Sequence, residues 1–214
     1  MDTPRILIVN SGSSSLKVAL ASAEPYRVLG SLIVERLGSN QPTLSMEEPR
    51  GQEKALSPEA DHNAALEACL ELLGDEGLLD GAPDGVGHRV VHGGETFADS
   101  TLIDEDVIKA LEQCASLAPL HNPANLEGIR AMRSLYPQVP QVAVFDTAFH
   151  QTLPEHAYLY GLPYWLYHDH GVRRYGFHGT SHRFMLRETA RRLGREESDT
   201  CMISAHLGNG CSIT

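Results

Sequence analysis

The apolar positions of this chain recur with periods that predict both strands and helices. Residues 5–9 form an apolar run, and Leu16, Val18 and Leu20 then follow at every second position. A period of two is typical of a strand with one buried face, and a polar, glycine-containing turn separates the two segments. The pattern therefore predicts a β-hairpin that opens the fold, followed by a third strand over residues 28–37.

The remaining segments predict an alternation of helices and short strands. Residues 38–58 are polar and contain proline, which predicts a loop with short strand pieces. Helices are predicted over residues 57–74 (capped by Ser57, with Pro58 at the first helical position and Gly74 at the end), 104–117 (capped by Asp104), 122–135 and 181–193. Buried strands are predicted over residues 85–91 and 142–145, a further strand over residues 201–206, and a return strand from residue 211.

The composition is that of a folded globular protein. Hydrophobic residues make up 42% and charged residues 21% of the 214 residues, which argues against a disordered or fibrous chain. The formal net charge is −11, so we expect no nonspecific binding to nucleic acid or to an anionic membrane. No apolar run approaches the roughly 20 residues of a membrane span, and residues 6–9 lack a signal-peptide cleavage pattern. These features predict a cytoplasmic protein.

Neither the cysteines nor the histidines have the spacing of a complete metal site. Cys69, Cys114, Cys201 and Cys211 lie in apolar or small-residue contexts without a CxxC pair, which predicts buried free thiols. His178 and His182 have the i, i+4 spacing of a metal pair, but no third ligand follows at a suitable spacing. We therefore predict that His182 is structural, as are His88, His92 and His150. The histidines predicted to lie on the surface are His62, His156, His168 and His170.

Polar residues are concentrated at the predicted hairpin turn, Asn10-Ser11-Gly12-Ser13-Ser14-Ser15-Leu16-Lys17. Such a turn brings backbone N–H groups, hydroxyls, an amide and a lysine together, and it can cradle a phosphate. The same residue types are ordinary turn formers, so the turn alone is compatible with either role. The GxxxxGK[ST] loop, the GxGxxG turn and the protein-kinase His-Arg-Asp set are absent from the sequence.

Two further polar residues lie at the ends of predicted buried strands. Arg89 occupies the last stretch of a strand in the segment Gly87-His88-Arg89-Val90-Val91-His92-Gly93-Gly94-Glu95, where a guanidinium can clamp a carboxylate or a phosphate. Asp146 ends the strand over residues 142–145, and polar residues at such positions often face a ligand cleft. Candidate ligand-binding groups thus lie at two strand ends.

Together these segments resemble the acetate kinase family over essentially the whole chain. The most specific matches are the Asn-x-Gly-Ser-Ser-Ser-x-Lys hairpin at residues 10–17 and the Gly-His-Arg-x-Val-His-Gly-Gly segment at residues 87–94. Family-like stretches also occur at residues 117–123, 145–150, 174–182 and 206–210. The resemblance implies an α/β, ribonuclease-H-like fold of the actin, sugar-kinase and heat-shock-chaperone superfamily, in which two similar domains clasp a nucleotide.

The resemblance also implies a domain division and a reaction. Residues 1–149 would form the N-terminal domain, and residues 150–214 would begin an incomplete second, nucleotide-binding domain, because family members are considerably longer. The implied reaction is reversible phosphoryl transfer from ATP to acetate, which gives acetyl phosphate and ADP by direct in-line attack with Mg²⁺ or Mn²⁺. Acetate is already ionised at pH 7, so the enzyme needs to position and neutralise charge rather than to supply a general base.

The resemblance assigns roles to individual residues of this sequence. The implied catalytic residues are Asp146, Arg89, His178 and His121, with His178 as the transition-state stabiliser. Arg89 would bind the carboxylate of the substrate, in a small apolar pocket lined by Val91, Leu120 and Phe177. Nucleotide and phosphate contacts would come from Ser13, Ser15, Lys17, His206, Leu207, Gly208, Asn209 and Gly210. The metal would be held by Asn10 and Asp146, and the full-length protein would be a homodimer.

Two alternatives stay open on the sequence alone. Propionate kinases share these signatures, and one methylene in a pocket changes binding by only about 1–3 kcal/mol. An alternative of another class is a truncated, non-catalytic module that binds phosphate or a partner without phosphoryl transfer.

Overall fold

The computed structural model describes residues 3–49, 51–208 and 210–214. The chain divides into two compact units. The first unit comprises the described parts of residues 1–90 and 101–144, and the second comprises 91–100 and 145–214. The predicted division of the family fold after residue 149 stays a prediction.

The described residues contain ten strands and six α-helices. The strands are β1 (Arg5–Ser11), β2 (Ser15–Ser22), β3 (Arg27–Glu35), β4 (Thr43–Glu48), β5 (Gln52–Ala55), β6 (Gly85–Val90), β7 (Thr101–Leu102), β8 (Gln141–Phe145), β9 (Ala205–Leu207) and β10 (Cys211–Ile213). The helices are α1 (His62–Asp75), α2 (Glu105–Cys114), α3 (Asn122–Leu135), α4 (Glu155–Tyr158), α5 (Trp165–His170) and α6 (Gly179–Leu193).

A mixed sheet forms the body of the first unit, with strand order β5-β4-β3-β2-β1-β6-β8-β7. β1 pairs antiparallel with β2 and parallel with β6, so the predicted opening hairpin lies beside the strand that carries Arg89. Leu16, Val18 and Leu20 are each at most 2% exposed, as their period of two predicts. The predicted strands over residues 28–37, 85–91 and 142–145 are confirmed as β3, β6 and β8, with small differences in their bounds.

The short strand pieces predicted between residues 38 and 58 are confirmed as β4 and β5. β4 and β5 extend the sheet antiparallel beyond β3, and Leu44 of β4 is fully buried. The predicted helix start at Ser57 is wrong. Glu59 has a left-handed φ of 60°, which interrupts a helix, and Asp61 Oδ1 instead accepts a hydrogen bond from Ala64 N at 2.9 Å to cap α1.

Helices α1 and α3 pack on each other and on the sheet of the first unit. Their apolar faces place Leu66, Leu73 and Met132 against Leu7 and Leu16, and all five side chains are fully buried. Removing this apolar area from water is the main stabilising contribution to the unit. The predicted helices over residues 104–117 and 122–135 are confirmed, the first as α2 followed by a 3₁₀ turn at Ala115–Leu117.

We expect acid to destabilise the first unit through His88. This residue is 2% exposed, burial lowers its pKa from 6.5 to about 4, and its Nε2 lies 2.8 Å from Gln141 Oε1. The unfolded chain therefore takes up a proton near pH 6.5 while the folded chain does not. The free energy of unfolding should fall by up to about 3 kcal/mol between pH 6.5 and 4, with no further loss from this residue below that range.

Urea unfolding at several pH values tests this prediction. The slope of unfolding free energy against pH should be shallower in His88→Gln than in the unchanged chain. The same substitution at the exposed His156 controls for loss of an imidazole as such. Equal slopes in His88→Gln and the unchanged chain would contradict the prediction.

The second unit contains α4, α5, α6 and the two-stranded sheet of β9 and β10. The predicted helix over residues 181–193 is confirmed as α6, and the predicted return strand is confirmed as β10. The strand predicted over residues 201–206 is shorter and begins only at Ala205. Arg173 anchors the segment 91–100 by an ion pair with Glu95, and its guanidinium lies 3.8 Å from the centre of the Tyr158 ring.

The prediction of four buried thiols holds for only two of the cysteines. Cys69 and Cys114 are buried, and burial raises the pKa of Cys69 to about 12. Cys201 and Cys211 are exposed, because Cys201 precedes the short strand β9 and Cys211 lies on an exposed position of β10. Within the described residues, no helix is both long enough and apolar enough to span a membrane.

Candidate active site

The hairpin turn between β1 and β2 is closed by its own backbone. Gly12 N donates to Ser15 O at 2.8 Å, and the strand register pairs Asn10 with Lys17 and Ser11 with Leu16. Ser13 is exposed, Ser15 is partly exposed and Lys17 is exposed. The three predicted phosphate-contacting side chains of the first unit are thus grouped on one turn and accessible to solvent.

Helices α1 and α3 fix the backbone of this turn. Asn125 Nδ2 donates to Ser11 O at 2.7 Å, and His62 Nε2 lies 2.8 Å from Gly12 O. The other ring nitrogen of His62 lies 3.0 Å from Glu127 Oε2. The prediction that His62 lies on the surface is wrong, because its ring is enclosed between the turn and α3 and is 8% exposed. These contacts restrict the turn before any ligand binds.

We expect Gly128→Ala to destabilise the first unit. A Cβ at Gly128 would overlap Ser11 Oγ, and Ser11 is 4% exposed, so either the turn or α3 must move. Overpacking of this kind costs about 1–3 kcal/mol, which urea unfolding measures as a lower midpoint. Ser11→Gly removes the overlapping atoms and should lessen the penalty in the double variant.

Gly87→Ala is the matched control, because a Cβ there meets no atom within 4 Å. It should leave the stability of the first unit nearly unchanged. An unfolding midpoint of Gly128→Ala equal to that of Gly87→Ala would contradict the close packing of α3 on the turn.

Arg89 lies beside the hairpin because of the parallel pairing of β1 and β6. The register aligns Val9 with His88, so the next residues, Asn10 and Arg89, lie at the same strand ends. Arg89 Nη1 donates to Asn10 Oδ1 at 3.3 Å. The structure thus brings together the two sequence motifs that were singled out separately, and it directs a guanidinium to the end of the polar turn.

Two other predicted site residues of the first unit lie at the start of α3. His121 directly precedes the helix and is exposed, and the neighbouring Leu120 is 76% exposed. No hydrogen bond between the His121 ring and the hairpin turn is described. Their predicted roles, contact with phosphate for His121 and pocket lining for Leu120, stay predictions.

In the second unit, Asp146 and the N-terminus of α6 are in close contact. Asp146 follows β8 and is 2% exposed. Its backbone oxygen accepts from Gly179 N at 2.8 Å, and its Oδ1 accepts from Thr180 Oγ1 at 3.4 Å. A Cβ at Gly179 would overlap the Asp146 carbonyl, so glycine is required for this approach.

His178 holds an unusual backbone position directly before α6. Its φ is 56°, a left-handed conformation that a bulky residue seldom adopts. Its ring is stacked on His206, with centroids 4.0 Å apart and an interplanar angle of 17°. His206 is in turn fixed by a hydrogen bond of 3.1 Å between its Nδ1 and Ser181 Oγ. Two predicted site histidines are therefore brought together face to face.

The second predicted phosphate turn follows β9. Gly208 N donates to Gly210 O at 3.0 Å, which closes the turn, and Leu207 is 74% exposed. A Cβ at Gly210 would lie 3.5 Å from Cε1 and 3.7 Å from Nε2 of His178, so this edge of the ring faces the turn. Asn209 lies outside the described residues. The turn and His178 form one polar group within the second unit.

The predicted pocket residues of the second unit surround His92. Val91 is buried, and Phe177 is 41% exposed. The ring of His92 lies edge-on to those of Tyr175, at 4.6 Å, and Phe177, at 5.8 Å. Burial lowers the pKa of His92 to about 4, and its Nδ1 accepts from Gly94 N at 3.0 Å, which requires that nitrogen to be unprotonated. His92 is thus a neutral structural residue.

The donor set of the second unit is compatible with a hard divalent cation. Asp146 supplies carboxylate oxygens, which Mg²⁺ and Mn²⁺ prefer, and Mg²⁺ is commonly held by one or two carboxylates together with substrate phosphates. Among the described residues, no group of three or more His, Cys, Asp or Glu side chains forms a complete metal cage. His178 and His182, whose spacing allowed a metal pair, both form hydrogen bonds with Ser212.

Several residues that organise these groups were missed by sequence reasoning. They are the small or polar residues that position the turns and rings: His62, Asn125, Gly128, Ser181, Ser204 and Ser212. Their sequence neighbourhoods contain no distinctive pattern, with one exception. The i, i+4 spacing of His178 and His182 indicated a possible metal pair, whereas the structure shows that both rings contact Ser212.

The sequence of this chain is similar to those of a family of kinases. A family model described as the acetokinase family covers residues 5–214. The acetate kinase of Halothermothrix orenii is 49% identical over 214 residues, which is 98% of this chain and 54% of that protein. The acetate kinase of Pseudomonas aeruginosa is 50% identical over 212 residues, which is 99% of this chain and 53% of that protein.

The fold of this chain is also similar to the solved structures of acetate and propionate kinases. A propionate kinase from Francisella tularensis superposes with a TM-score of 0.92 at 40% identity and covers 99% of this chain and 54% of its own. Porphyromonas gingivalis acetate kinase superposes with a TM-score of 0.90 at 45% identity and covers 98% of this chain and 54% of its own.

The fold is therefore that of the acetate and sugar kinase, actin and heat-shock-chaperone superfamily, and the predicted α/β fold class is confirmed. The chain belongs to the acetokinase family. It spans about half the length of the curated relatives it matches.

Proposed function

We propose that this chain carries the acid-binding and phosphoryl-transfer groups of an acetate kinase, which forms acetyl phosphate and ADP from acetate and ATP in a reversible reaction. The observation that carries the proposal is the junction of the two motifs, where Arg89 donates to Asn10 at the end of the serine-rich turn. A guanidinium and a turn rich in N–H and hydroxyl donors together suit a carboxylate that accepts a phosphoryl group.

The proposed mechanism relies on positioning and charge neutralisation. The carboxylate of acetate attacks the γ-phosphorus of ATP in line, and it needs no general base because it is ionised at pH 7. Arg89 orients the carboxylate and neutralises charge on the transferring group. His178 donates to the equatorial phosphoryl oxygens, and His121 contacts the phosphate or the transition state. Such preorganised donors stabilise the charge that develops in the transition state.

The phosphates of the nucleotide are assigned to the two polar turns. Ser13, Ser15 and Lys17 surround the path of the phosphoryl group in the first unit. The turn of the second unit, residues 206–210, contacts the β and γ phosphates. Val91, Leu120 and Phe177 line the pocket for the methyl group of acetate.

A divalent cation completes the proposal. Asp146 and Asn10 are the residues of this chain that would hold Mg²⁺ or Mn²⁺, directly or through water. A bound cation neutralises phosphate charge during transfer. Asp146, which is oriented by Thr180 and Gly179, offers carboxylate oxygens for that role.

The cellular setting belongs to the proposal as well. Acetate, acetyl phosphate, ATP and ADP are the proposed ligands, in the cytoplasm, with a homodimer as the form of the full-length protein. A net charge of −11 gives no attraction to nucleic acid or to an anionic membrane.

Propionate is the alternative substrate. The likeness to a propionate kinase, with a TM-score of 0.92 at 40% identity, supports it, while the likeness to acetate kinases at 49–50% identity supports acetate. Comparing kcat/KM for acetate, propionate and butyrate distinguishes the two, since a pocket that excludes the extra methylene should favour acetate by about 10- to 200-fold.

Trapping the acyl phosphate with hydroxylamine tests the proposed function. Incubating the chain with ATP, Mg²⁺ and acetate should yield acetyl hydroxamate, with none formed when acetate is omitted. Turnover by the 214-residue chain would exclude the alternative of a non-catalytic binding module. If the chain forms no hydroxamate with any of the three acids, that alternative is favoured and the catalytic proposal fails for this chain.

A further inference from the structure

A chain of hydrogen bonds leads from the interior of the second unit to His178. Ser212 Oγ lies 2.9 Å from His178 Nδ1 and 2.8 Å from His182 Nε2. The other ring nitrogen of His182, Nδ1, lies 2.9 Å from Ser204 Oγ. His182 is 1% exposed and Ser204 is 8% exposed. Four side chains are thus linked in series, and we call Ser204, His182 and Ser212 the serine–histidine relay.

The backbone explains why these side chains meet. His178 directly precedes α6 and His182 lies in its first turn, and the rings of both residues contact Ser212. Ser204 and Thr214 exchange backbone hydrogen bonds of 2.8 and 3.0 Å, which aligns the two strands of the small sheet. Both serines are therefore presented to the same helix face.

The chemistry of the groups restricts where the protons lie. A serine hydroxyl has one proton to donate, and a neutral imidazole donates from one nitrogen and accepts at the other. Burial, and after it the neighbouring histidines, lower the pKa of His182, which keeps this ring neutral at pH 7. A neutral His182 between two serines must donate to one and accept from the other, so the relay has two proton orders, set by whether the His182 proton points toward Ser204 or toward Ser212.

The buried hydroxyl of Ser204 decides between the two orders. If protons run from His178 toward Ser204, the Ser204 hydroxyl proton has no acceptor among the described residues, and an unsatisfied buried donor costs about 1–3 kcal/mol. If they run from Ser204 toward His178, every proton has an acceptor. Ser204 then donates to His182, and His182 Nε2 donates to Ser212. The Ser212 hydroxyl has two acceptors in reach, Nδ1 of His178 at 2.9 Å and the backbone oxygen of Phe177 at 3.4 Å. Because 3.4 Å is longer than an ordinary O–H···O hydrogen bond, Ser212 donates to His178.

We propose that the relay holds His178 as the tautomer with its proton on Nε2. The Nε2 edge of the ring is the one that faces Gly210 in the turn where phosphate is proposed to bind. Phosphate oxygens accept hydrogen bonds, so the relay gives His178 a proton to donate at the correct edge. His182, Ser204 and Ser212 are then positioning residues. The ligand rests on the proposed function, but the tautomer does not.

Histidine tautomers are read directly by NMR. In the 214-residue chain labelled with ¹⁵N-histidine, two-bond and three-bond ¹H–¹⁵N correlations distinguish a protonated ring nitrogen from an unprotonated one. Near pH 7.5, His178 and His182 should both carry their single proton on Nε2. A His178 proton on Nδ1, or an even mixture of tautomers, in the unchanged chain would by itself contradict the proposal.

Variants test whether the relay sets the tautomer. Ser212→Ala should leave His178 as a mixture of tautomers, whereas Ser212→Thr retains the hydroxyl on a strand position and should keep the Nε2 proton. Ser204→Ala removes the hydroxyl at the other end of the relay and should weaken the preference of both His178 and His182 for the Nε2-protonated tautomer. Ser198→Ala, on an exposed 3₁₀ turn, is the matched control and should change neither ring. An unchanged His178 spectrum in both Ser212→Ala and Ser204→Ala would contradict the claim that the relay sets the tautomer.

The activity readout separates this proposal from the proposed function. In a form that makes acetyl phosphate, Ser212→Ala should lower kcat about 10- to 100-fold, the range for groups that orient functional histidines, with little change in KM for acetate. If no acetyl phosphate forms but His178 is protonated on Nε2, the proposed function is refuted and the proposed role of the relay in setting the tautomer is supported. An unchanged kcat in Ser212→Ala would show that the relay does not position His178 for the reaction.

Discussion

Replacing Arg89 by alanine is expected to lower acetyl phosphate formation by about 10²- to 10³-fold. The guanidinium lies at the end of the serine-rich turn, joined to Asn10 Oδ1 at 3.3 Å, and it is the group proposed to bind the acetate carboxylate. Its loss removes both the orienting contact and a positive charge from the developing transition state. The rate is measured by hydroxylamine trapping in the form of the protein that makes acetyl phosphate.

Arg89→Lys is the informative companion to the alanine variant. Lysine keeps the charge but loses the planar, bidentate geometry, so its rate should lie between those of the unchanged protein and Arg89→Ala. Arg27→Ala removes an exposed arginine from the edge of β3 in the same unit and should leave the rate unchanged. A rate for Arg89→Ala within about twofold of that for Arg27→Ala would show that Arg89 takes no part in the reaction, because a lost transition-state donor costs far more.

Removing the ring of His178 should cost a similar 10²- to 10³-fold in kcat, because it takes away a donor to the transferring phosphoryl group. The left-handed backbone at this residue complicates a simple alanine variant, since φ is 56° and alanine is strained there. Asparagine tolerates this conformation better than alanine. Both His178→Ala and His178→Asn should therefore be assayed, with unfolding measured alongside the rate.

The comparison of the two His178 variants separates backbone strain from chemistry. If the ring is the essential group, both variants lose activity to the same extent although their stabilities differ. If His178→Asn recovers nearly the full rate, backbone geometry rather than the imidazole is required, and the assignment of His178 fails. His156→Ala, in the short helix α4, controls for loss of an exposed histidine and should retain full activity.

The sequence predicted the central sheet and its helices because their signals are local and periodic. The alternation at Leu16, Val18 and Leu20 and the Asp104 cap of α2 are of this kind, and both are confirmed. The segment that contains β4 and β5 was predicted as a loop with short strand pieces, and the pairing of these strands with β3 is not visible in a short polar stretch. The choice of Asp61 over Ser57 as the cap of α1 depended on the backbone of Glu59, which composition does not determine.

The same distinction applies to the candidate site. The motifs around Asn10 and Arg89 were found separately, and only the parallel register of β1 and β6 brings the two side chains together. His62 was predicted on the surface, but its burial follows from contacts with a turn 50 residues earlier and a helix 65 residues later. Ser212 was missed for the same reason, since a single serine acquires its role only from the two rings beside it.

The most direct test of the account is to titrate acetyl phosphate into the ¹⁵N-labelled 214-residue chain and to follow its backbone amides and arginine side chains by NMR. Saturable shifts are predicted at the turn, over residues 10–17, and at the Arg89 side chain. They should disappear in Arg89→Ala and persist in Arg27→Ala. No response of the turn in the unchanged chain, or an equal response in Arg89→Ala, would contradict the claim that these two motifs form one binding site.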